Sequence, residues 1–331
     1  MVCRNPHCDL HNQSTPQRSA RLFSRLPDKL RIRGGSLMAD HASKCDSCGG
    51  ECVPVCESCG KDIPALWARY PRRSVLLLGS NGVGKSTLLA TTKTKLSQRQ
   101  DLTMTPLEIE ATAERFYDQY AQPLWVNNDN VPHTLPTLPL PFLWGIAHRA
   151  ARGPASTLAL AVYDVPGEML IRHSAVEPIE PLLDRTDAVV LVLNPASFPA
   201  LHERCGKQAG IELAPDAWER AERIVDELLK HCGIGKKSHI SVSVVFTHLD
   251  VWFSALSDCP SASCLTDAYL RRLTENWHGA SFLARLEEFR QSHFFATGIY
   301  RGDSFRPLDG ADAPLSYLLR SFGIPLTLQN D

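Results

Sequence analysis

Short, almost wholly apolar runs recur along residues 71–331, and longer amphipathic segments separate them. The clearest runs are Val75–Leu78, Ala188–Leu193 and Ile240–Phe246, and each has the length and composition of a strand buried on both faces. Because strands that alternate with helices build parallel sheets, the pattern predicts an α/β domain with a doubly wound, mostly parallel sheet over residues 71–331.

The same pattern predicts the remaining elements of this domain. Helices are expected over 85–98, 101–121, 215–231, 265–291 and 313–322. Further strands are expected over 142–148, 157–163 and 293–296, and the last of these is expected to be the last strand in the chain. Residues 122–141, rich in Pro and Asn, are expected to form an irregular loop, and 149–156 a turn. The apolar positions of the second helix include Leu107, Ile109, Ala111, Phe116 and Tyr120. The core positions expected in the fourth helix are Leu273, Trp277, Phe282, Leu286 and Phe289.

A glycine-rich loop at residues 79–87 lies between the first apolar run and the first predicted helix. A phosphate-binding P-loop requires this strand–loop–helix context, and every fixed position of its motif is present. The backbone N–H groups of such a loop point at phosphate oxygens, and the positive end of the helix dipole adds to them. We expect Lys85 to reach the β- and γ-phosphates and the Ser86 hydroxyl to ligate Mg²⁺. The expected nucleotide contacts are Asn81, Gly82, Val83, Gly84, Lys85, Ser86 and Thr87.

An acidic residue, Asp164, follows a predicted strand and precedes Val-Pro-Gly-Glu. A carboxylate at the carboxyl end of a strand downstream of a P-loop is placed to hold Mg²⁺. We expect Gly167 to bring its backbone N–H to the γ-phosphate and Glu168 to lie where an attacking water would sit. In the Pro-rich loop, Thr134 or Thr137 could supply a further Mg²⁺ ligand from a segment that the γ-phosphate orders. For either threonine alone, a plain loop is almost equally compatible with the sequence.

Cysteines concentrate in residues 1–70, which hold seven of the eleven in the chain. Cys45-x-x-Cys48 and Cys56-x-x-Cys59 are two knuckles, each followed by Gly, and this spacing lets both thiolates of a knuckle face one ion. Because the segment is too short and polar for a core of its own, bound metal would supply its folding energy. We therefore expect a small structural Zn²⁺ module over residues 1–70, ahead of the domain over 71–331.

The pairing of these ligands stays open. The simplest site joins the two knuckles, and an equally compatible one joins Cys3 and Cys8 to the second knuckle. In that case the first knuckle and Cys52, with a His, would form a second site. At least one zinc ion is expected in either arrangement.

Charge and hydropathy narrow the class of protein. Residues 1–73 carry 12 Lys and Arg against 7 Asp and Glu, whereas the rest carries 23 against 29. The basic excess, much of it between Arg18 and Arg33, could contact nucleic acid, but a solvated basic linker is the favoured interpretation.

No run of about 18 apolar residues is present, and the first residues lack an apolar signal region. We expect a cytoplasmic protein without a membrane contact, whose cysteines bind metal or stay reduced.

The motifs together resemble the P-loop GTPases of the translation-factor and Ras-like class. The matching pieces are the P-loop, a Thr-containing switch loop, Asp164-x-x-Gly167, Thr247-His248-x-Asp250 and Ala296-Thr297, in the order of that family and mostly at strand ends. The resemblance covers residues 71–331 and implies binding of GTP and GDP with Mg²⁺.

The resemblance also implies how the base is bound. Asp250 would accept hydrogen bonds from guanine N1–H and the 2-amino group, a pair of contacts that adenine cannot reproduce. Thr247 and His248 would stand for the family's Asn/Thr-Lys pair, with His in place of the usual Lys. Ala296 would offer its backbone N–H to guanine O6, and Thr297 follows it.

A narrower resemblance links the chain to the bacterial double-GTPase proteins of conflict and defence systems. It depends on the zinc-binding N-terminal segment, the long insert before the switch loop and the sequence Asp-x-Pro-Gly-Glu at 164–168. The function implied is a molecular switch that regulates a partner protein. Glu168 takes the place of the family's water-positioning Gln, and an ionised carboxylate would repel the γ-phosphate, so turnover without a partner is expected to be slow.

Three other functions fit parts of the sequence. The P-loop also resembles that of ABC-type ATPases, but the chain lacks a Leu-Ser-Gly-Gly-Gln-like segment, and Val165 stands where those proteins have Glu. A zinc-ribbon scaffold with a passive nucleotide site is a second alternative. A nucleic-acid-associated NTPase that uses the basic segment is a third, and a steep salt dependence of binding would distinguish it.

Overall fold

The computed structural model describes the chain over part of its length, and all structural statements below concern that part. The described residues are 2–3, 43–44, 51–53, 70–106, 111–131, 141–148, 156–166, 169, 180–183, 186–198, 200–201, 217–232, 238–253, 256, 261–301, 305–308 and 310–326.

Three short strands in the N-terminal segment form an antiparallel sheet: β1 (Val2–Cys3), β2 (Ser43–Lys44) and β3 (Glu51–Val53). Strand β3 lies in the middle, and its Cys52 is opposite Cys3 of β1 and Ser43 of β2. The other predicted zinc ligands, and both knuckles, lie outside the described residues. The zinc module therefore stays a prediction.

A seven-stranded mixed sheet organises the rest of the described chain. Its elements, in chain order, begin with β4 (Arg72–Leu78), α1 (Lys85–Gln98), β5 (Leu102–Pro106) and α2 (Ala111–Phe116), which continues as a π-helix over Tyr117–Val126. They go on with β6 (Phe142–His148), β7 (Ser156–Asp164), α3 (Glu180–Leu183), β8 (Ala188–Leu193), α4 (Ala217–Cys232), β9 (Ser238–Phe246) and α5 (Leu249–Trp252). They end with α6 (Asp267–His278), α7 (Ala280–Glu287), β10 (Phe289–Ala296), β11 (Ile299–Arg301), β12 (Phe305–Pro307) and α8 (Ala313–Ser321).

The strand order in this sheet is β10-β9-β8-β4-β7-β6-β5. The pairs from β10 to β7 are parallel, whereas β6 runs antiparallel to β7 and β5 antiparallel to β6. The prediction of an α/β fold with a mostly parallel sheet is confirmed. Since β4, β7, β8, β9 and β10 are parallel, their carboxyl ends meet at one edge.

Helices cover both faces of the sheet because its central strands are apolar on both sides. In β4, Leu76 and Leu78 pack into one cluster with α4, α6 and α7, while Val75 and Leu77 pack into the other with α1 and α8. Strand β8 lies between two parallel neighbours and every residue in it is buried, as the apolar run predicted. Helix α1 has its predicted bounds, and the predicted helices α4 and α8 are also confirmed.

The prediction of one helix over 101–121 is wrong in its first part, where β5 pairs antiparallel with β6. Two of the five residues of β5 are β-branched threonines, Thr103 and Thr105, which favour a strand. The pairing partner begins at Phe142, about forty residues along the chain, so local periodicity could not reveal it.

The predicted irregular loop also starts too early. The helix continues past Gln122 to Val126 as a π-helix that contains Pro123. Tyr120 and Leu124 are buried in the core, and this packing outweighs the local tendency of Pro123 to end a helix. Residues 132–140 of the expected loop lie outside the described residues.

The predicted helix over 265–291 is divided in the structure. Gly279, with φ 109°, separates α6 from α7, and β10 begins at Phe289 rather than at His293. The expectation that β10 is the final strand is also wrong, because the antiparallel hairpin β11–β12 follows it, although as a separate two-stranded sheet. The apolar positions expected in this region are buried, except that Trp277 is only partly buried.

Within the described residues, no helix is long and apolar enough to cross a membrane.

Candidate functional site

The glycine-rich loop connects β4 to α1 at the edge of the sheet where the parallel strands end. Gly79 has no room for a side chain, because a Cβ there would lie 2.4 Å from the carbonyl oxygen of Val192 in β8. Gly84 caps α1 in a left-handed conformation, with φ 84°, that an L side chain rarely adopts. These two glycines therefore fix the loop between the neighbouring strand and the start of the helix.

Lys85 is the first residue of α1, and its side chain turns back into the loop. Its ammonium group donates to the carbonyl oxygens of Gly79 and Ser80, both at 2.9 Å. Only 6% of the residue is exposed. A buried cation is thus held inside the loop, where it can meet an anion that the loop amides also contact.

Two oxygen ligands lie together beside the loop. The Ser86 hydroxyl donates to Oδ2 of Asp164, at 2.7 Å, and only 2% of Asp164 is exposed. Asp164 ends β7, which pairs with the strand that leads into the loop. A hydroxyl and a carboxylate are ligands that suit Mg²⁺, so the donor set fits that ion.

A third group reaches the same carboxylate from the helical insert. The Tyr120 hydroxyl donates to Oδ2 of Asp164 at 3.0 Å. Burial raises the pKa of Tyr120 far above its ordinary value, and the negative charge of Asp164 raises this pKa further. The phenol therefore stays protonated and acts as a hydrogen-bond donor at any physiological pH.

The residues after β9 are attached directly to the glycine-rich loop. The hydroxyl of Thr247 lies 2.6 Å from the carbonyl oxygen of Val83 in that loop and 3.0 Å from that of Leu193, the last residue of β8. The Trp252 indole N–H donates to the Thr247 carbonyl at 2.7 Å. Thr247 thus fixes the end of β9 against the loop.

His248 adopts a left-handed conformation, with φ 55°, that turns its ring towards α1. A Cβ on Gly84 would lie 3.2 Å from Cε1 of His248, so the imidazole covers the start of the helix. Its Nδ1 lies 3.1 Å from the Thr247 hydroxyl. Asp250 follows in the first turn of α5 and is exposed.

A cleft of about 360 Å³, open to solvent, lies between α1 and the ends of β9 and β10. Thr297 belongs to its wall; 2% of this residue is exposed, and its hydroxyl has no hydrogen-bond partner among the described residues. A polar ligand in the cleft could satisfy that hydroxyl. The lining residues are Gly84, Thr87, Leu88, Thr91, Thr247, His248, Asp250, Thr297, Gly298 and Ile299.

Most sequence-predicted site residues come together at this edge of the sheet. Ala296 does not line the cleft, because it is the last residue of β10 and the lining begins at the next residue, Thr297. Asn81 and Gly82 lie exposed on the loop. Four further candidates, Gly167, Glu168, Thr134 and Thr137, lie outside the described residues, and their roles stay predictions.

Sequence reasoning missed Leu88, Thr91, Gly298 and Ile299 as lining residues of the cleft. A signal for two of them exists, since Leu88 and Thr91 follow Gly84 by four and seven residues and so share one face of α1. Tyr120 was expected only as an apolar position of a helix, and its hydrogen bond to Asp164 depends on a tertiary contact that local sequence does not indicate.

Compared with known proteins, the chain matches no protein-family model and no curated protein. The functional interpretation therefore depends on the residues and geometry described above.

Proposed function

We propose that the protein is a GTP-binding molecular switch with slow intrinsic GTP hydrolysis. The observation that carries the proposal is the hydrogen bond between Thr247 and Val83. It joins a loop with the composition and geometry of a phosphate cradle to a cleft that has an acidic residue in its wall. A nucleotide matches this arrangement, because it carries a phosphate chain at one end and a base at the other.

The phosphate end is supported by three features. The loop carries the buried Lys85, α1 begins directly after the loop, and the Ser86–Asp164 pair lies beside it. A helix N-terminus and a lysine ammonium favour the β- and γ-phosphates. Mg²⁺ held near Ser86 and Asp164 would neutralise charge on the transferring phosphoryl group.

The preference for guanine over adenine depends on Asp250. An ionised carboxylate only accepts hydrogen bonds. Guanine presents two donors side by side, N1–H and the 2-amino group, whereas adenine has an acceptor at N1 and no amino group at C2. The unsatisfied hydroxyl of Thr297 adds a polar contact in the same cleft, and the His248 ring borders it beside Gly84.

Slow turnover follows from the chemistry of Glu168, which occupies the position of the water-orienting residue in the resemblance. An ionised carboxylate cannot donate to the γ-phosphate and repels it. A partner protein would therefore supply the missing stabilisation of the transferring phosphoryl group, and the switch loop over 127–141 would transmit the state of the nucleotide to an effector. By the narrower resemblance, the system is a bacterial multi-protein one with a role in defence, and the zinc module would provide a structural platform.

Calorimetric titration of the full chain with GTP, GDP and ATP, each in the presence of Mg²⁺, tests the proposal. We expect both guanosine nucleotides to bind and ATP to bind at least about tenfold more weakly, since two hydrogen bonds to a charged group are at stake. Asp250→Asn replaces the acceptor by an amide and is expected to abolish this preference. Absence of heat with every guanosine nucleotide, or a preference for ATP, would refute the proposal.

A further inference from the structure

The hydroxyl of Tyr120 contacts the one carboxylate that the proposed site needs for magnesium. The bond to Asp164 is 3.0 Å long, and it ends on the same oxygen, Oδ2, that accepts from Ser86. Two donors on one oxygen fix the rotation of a carboxylate, and so they set the direction in which Oδ1 points.

The ring of Tyr120 cannot move without disturbing its neighbours. It stacks on Phe116 with ring centroids 5.4 Å apart, and its centroid lies 5.2 Å from that of Phe142 in an edge-to-face contact. Only 5% of the residue is exposed. The hydroxyl is therefore held in place by packing, which is the property that a residue needs in order to position another one.

The same helical segment is attached to the chain after the predicted switch loop. The Arg115 guanidinium donates to the carbonyl of Pro141 and lies 4.5 Å from the centroid of the Phe142 ring. Pro141 is the first described residue after positions 132–140. The insert thus contacts both the carboxylate of the site and the strand that follows the switch loop.

We propose that Tyr120 is a positioning residue that orients Asp164 for magnesium, so that the insert over 111–126 belongs to the nucleotide site. This inference rests on the proposed function, because it concerns the metal that accompanies the nucleotide. Residues that hydrogen-bond to metal ligands set the orientation of those ligands. Their loss commonly weakens metal binding by about tenfold to a hundredfold.

The test compares GTP affinity in Mg²⁺ with GTP affinity in EDTA for the full chain. Tyr120→Phe removes only the hydroxyl and keeps the ring contacts. We expect it to lower the gain in affinity that Mg²⁺ gives by about tenfold, with the affinity in EDTA unchanged. Tyr117→Phe is the matched control, since Tyr117 lies on the same segment and is 50% exposed, and it should behave like the wild type.

A double-mutant cycle separates positioning from general packing. In an Asp164→Ala background, Tyr120→Phe should have no further effect on the Mg²⁺ dependence, because the carboxylate to which the hydroxyl donates is absent. Equal Mg²⁺ dependence in the wild type and Tyr120→Phe would overturn this inference alone, as would an equal loss of affinity in Mg²⁺ and in EDTA. Wild-type protein that binds no GTP in either condition would overturn the proposed function together with the inference.

Discussion

The hydroxyl of Thr247 and the carbonyl oxygen of Val83 lie 2.6 Å apart, although 164 residues separate them in the chain. This contact joins the end of β9 to the glycine-rich loop, and both groups are buried. The two ends of the proposed site are therefore joined by a buried hydrogen bond.

Thr247→Val should destabilise the fold and weaken nucleotide binding. Valine keeps the shape of the side chain but leaves the Val83 carbonyl without this donor, which costs about 1–3 kcal/mol of the free energy of unfolding. Urea unfolding followed by circular dichroism measures the change. Thr94→Val is the matched control, because the Thr94 hydroxyl donates to the Ala90 carbonyl of its own helix and joins no distant segments in the described part of the chain, and a smaller loss is expected. Equal losses in both variants would contradict the role given to Thr247.

Lys85→Ala should abolish tight GTP binding. The substitution removes a buried ammonium that, by the proposed function, would donate two charge-assisted hydrogen bonds to phosphate, worth about 3 kcal/mol together or about a hundredfold in affinity. Calorimetry with GTP and Mg²⁺ measures the effect. Lys95→Ala serves as control, since Lys95 lies on the same helix about 15 Å further along its axis and should leave the affinity unchanged. Unaltered binding by Lys85→Ala would show that the loop does not hold phosphate.

The stability of the fold should fall as the pH is lowered from 7.5 to 5.5, in part because of His278. The ring is stacked on Phe282 and 1% exposed, and burial lowers its pKa, although Glu222 at 3.6 Å favours the protonated form. Below about pH 6.5 the unfolded chain binds a proton that the native ring still excludes, so protonation favours unfolding. The loss continues until the pH reaches the lower native pKa.

His278→Gln removes this titration, so its free energy of unfolding should depend less steeply on pH over the same range. Urea titrations of both proteins at pH 7.5 and 5.5 give the comparison, which concerns the difference between the two pH values and not the absolute stability of the variant. An unchanged difference would mean that other groups cause the acid loss.

The full chain should contain at least one equivalent of zinc. Elemental analysis after purification without chelators measures the content. Cys45→Ser should lower it because the first knuckle would lose a thiolate, whereas Cys264→Ser should not, since Cys264 is a half-buried residue far along the chain whose sulfur lies 3.7 Å from the Ser261 hydroxyl. Zinc-free protein that keeps its N-terminal structure would refute the module.

Much of the fold was predictable because burial on both faces leaves a simple sequence signal. The apolar runs of β4, β8 and β9 and the amphipathic pattern of α4 each appear within a short window. The strand β5 was missed because its identity depends on pairing with β6, and the antiparallel edge gives no continuous apolar run. Likewise, the helix past Pro123 is maintained by packing at Tyr120 and Leu124, which outweighs local propensity.

Residues of the candidate site could be predicted where they belong to a motif of consecutive residues or follow an apolar strand. Lys85 and Ser86 follow a glycine pattern, and Asp164 and Thr247 mark the ends of apolar strands, so their meeting at one edge follows from parallel topology. Tyr120 could not be predicted in its role, since a tyrosine at a core position has the same sequence pattern whether or not its hydroxyl meets a carboxylate. The same holds for Gly298, which only the fold brings beside Asp250.

The edge position of β5 and its helix has an evolutionary consequence. Among the described strands, β5 pairs only with β6, and β4, which leads into the glycine-rich loop, takes both its partners, β7 and β8, from elsewhere in the chain. Exchange of the segment between α1 and β6 would thus leave both strand pairings of β4 in place. The same segment contacts Asp164 through the hydroxyl of Tyr120, however. Related proteins with a different segment could therefore differ in the properties of the site.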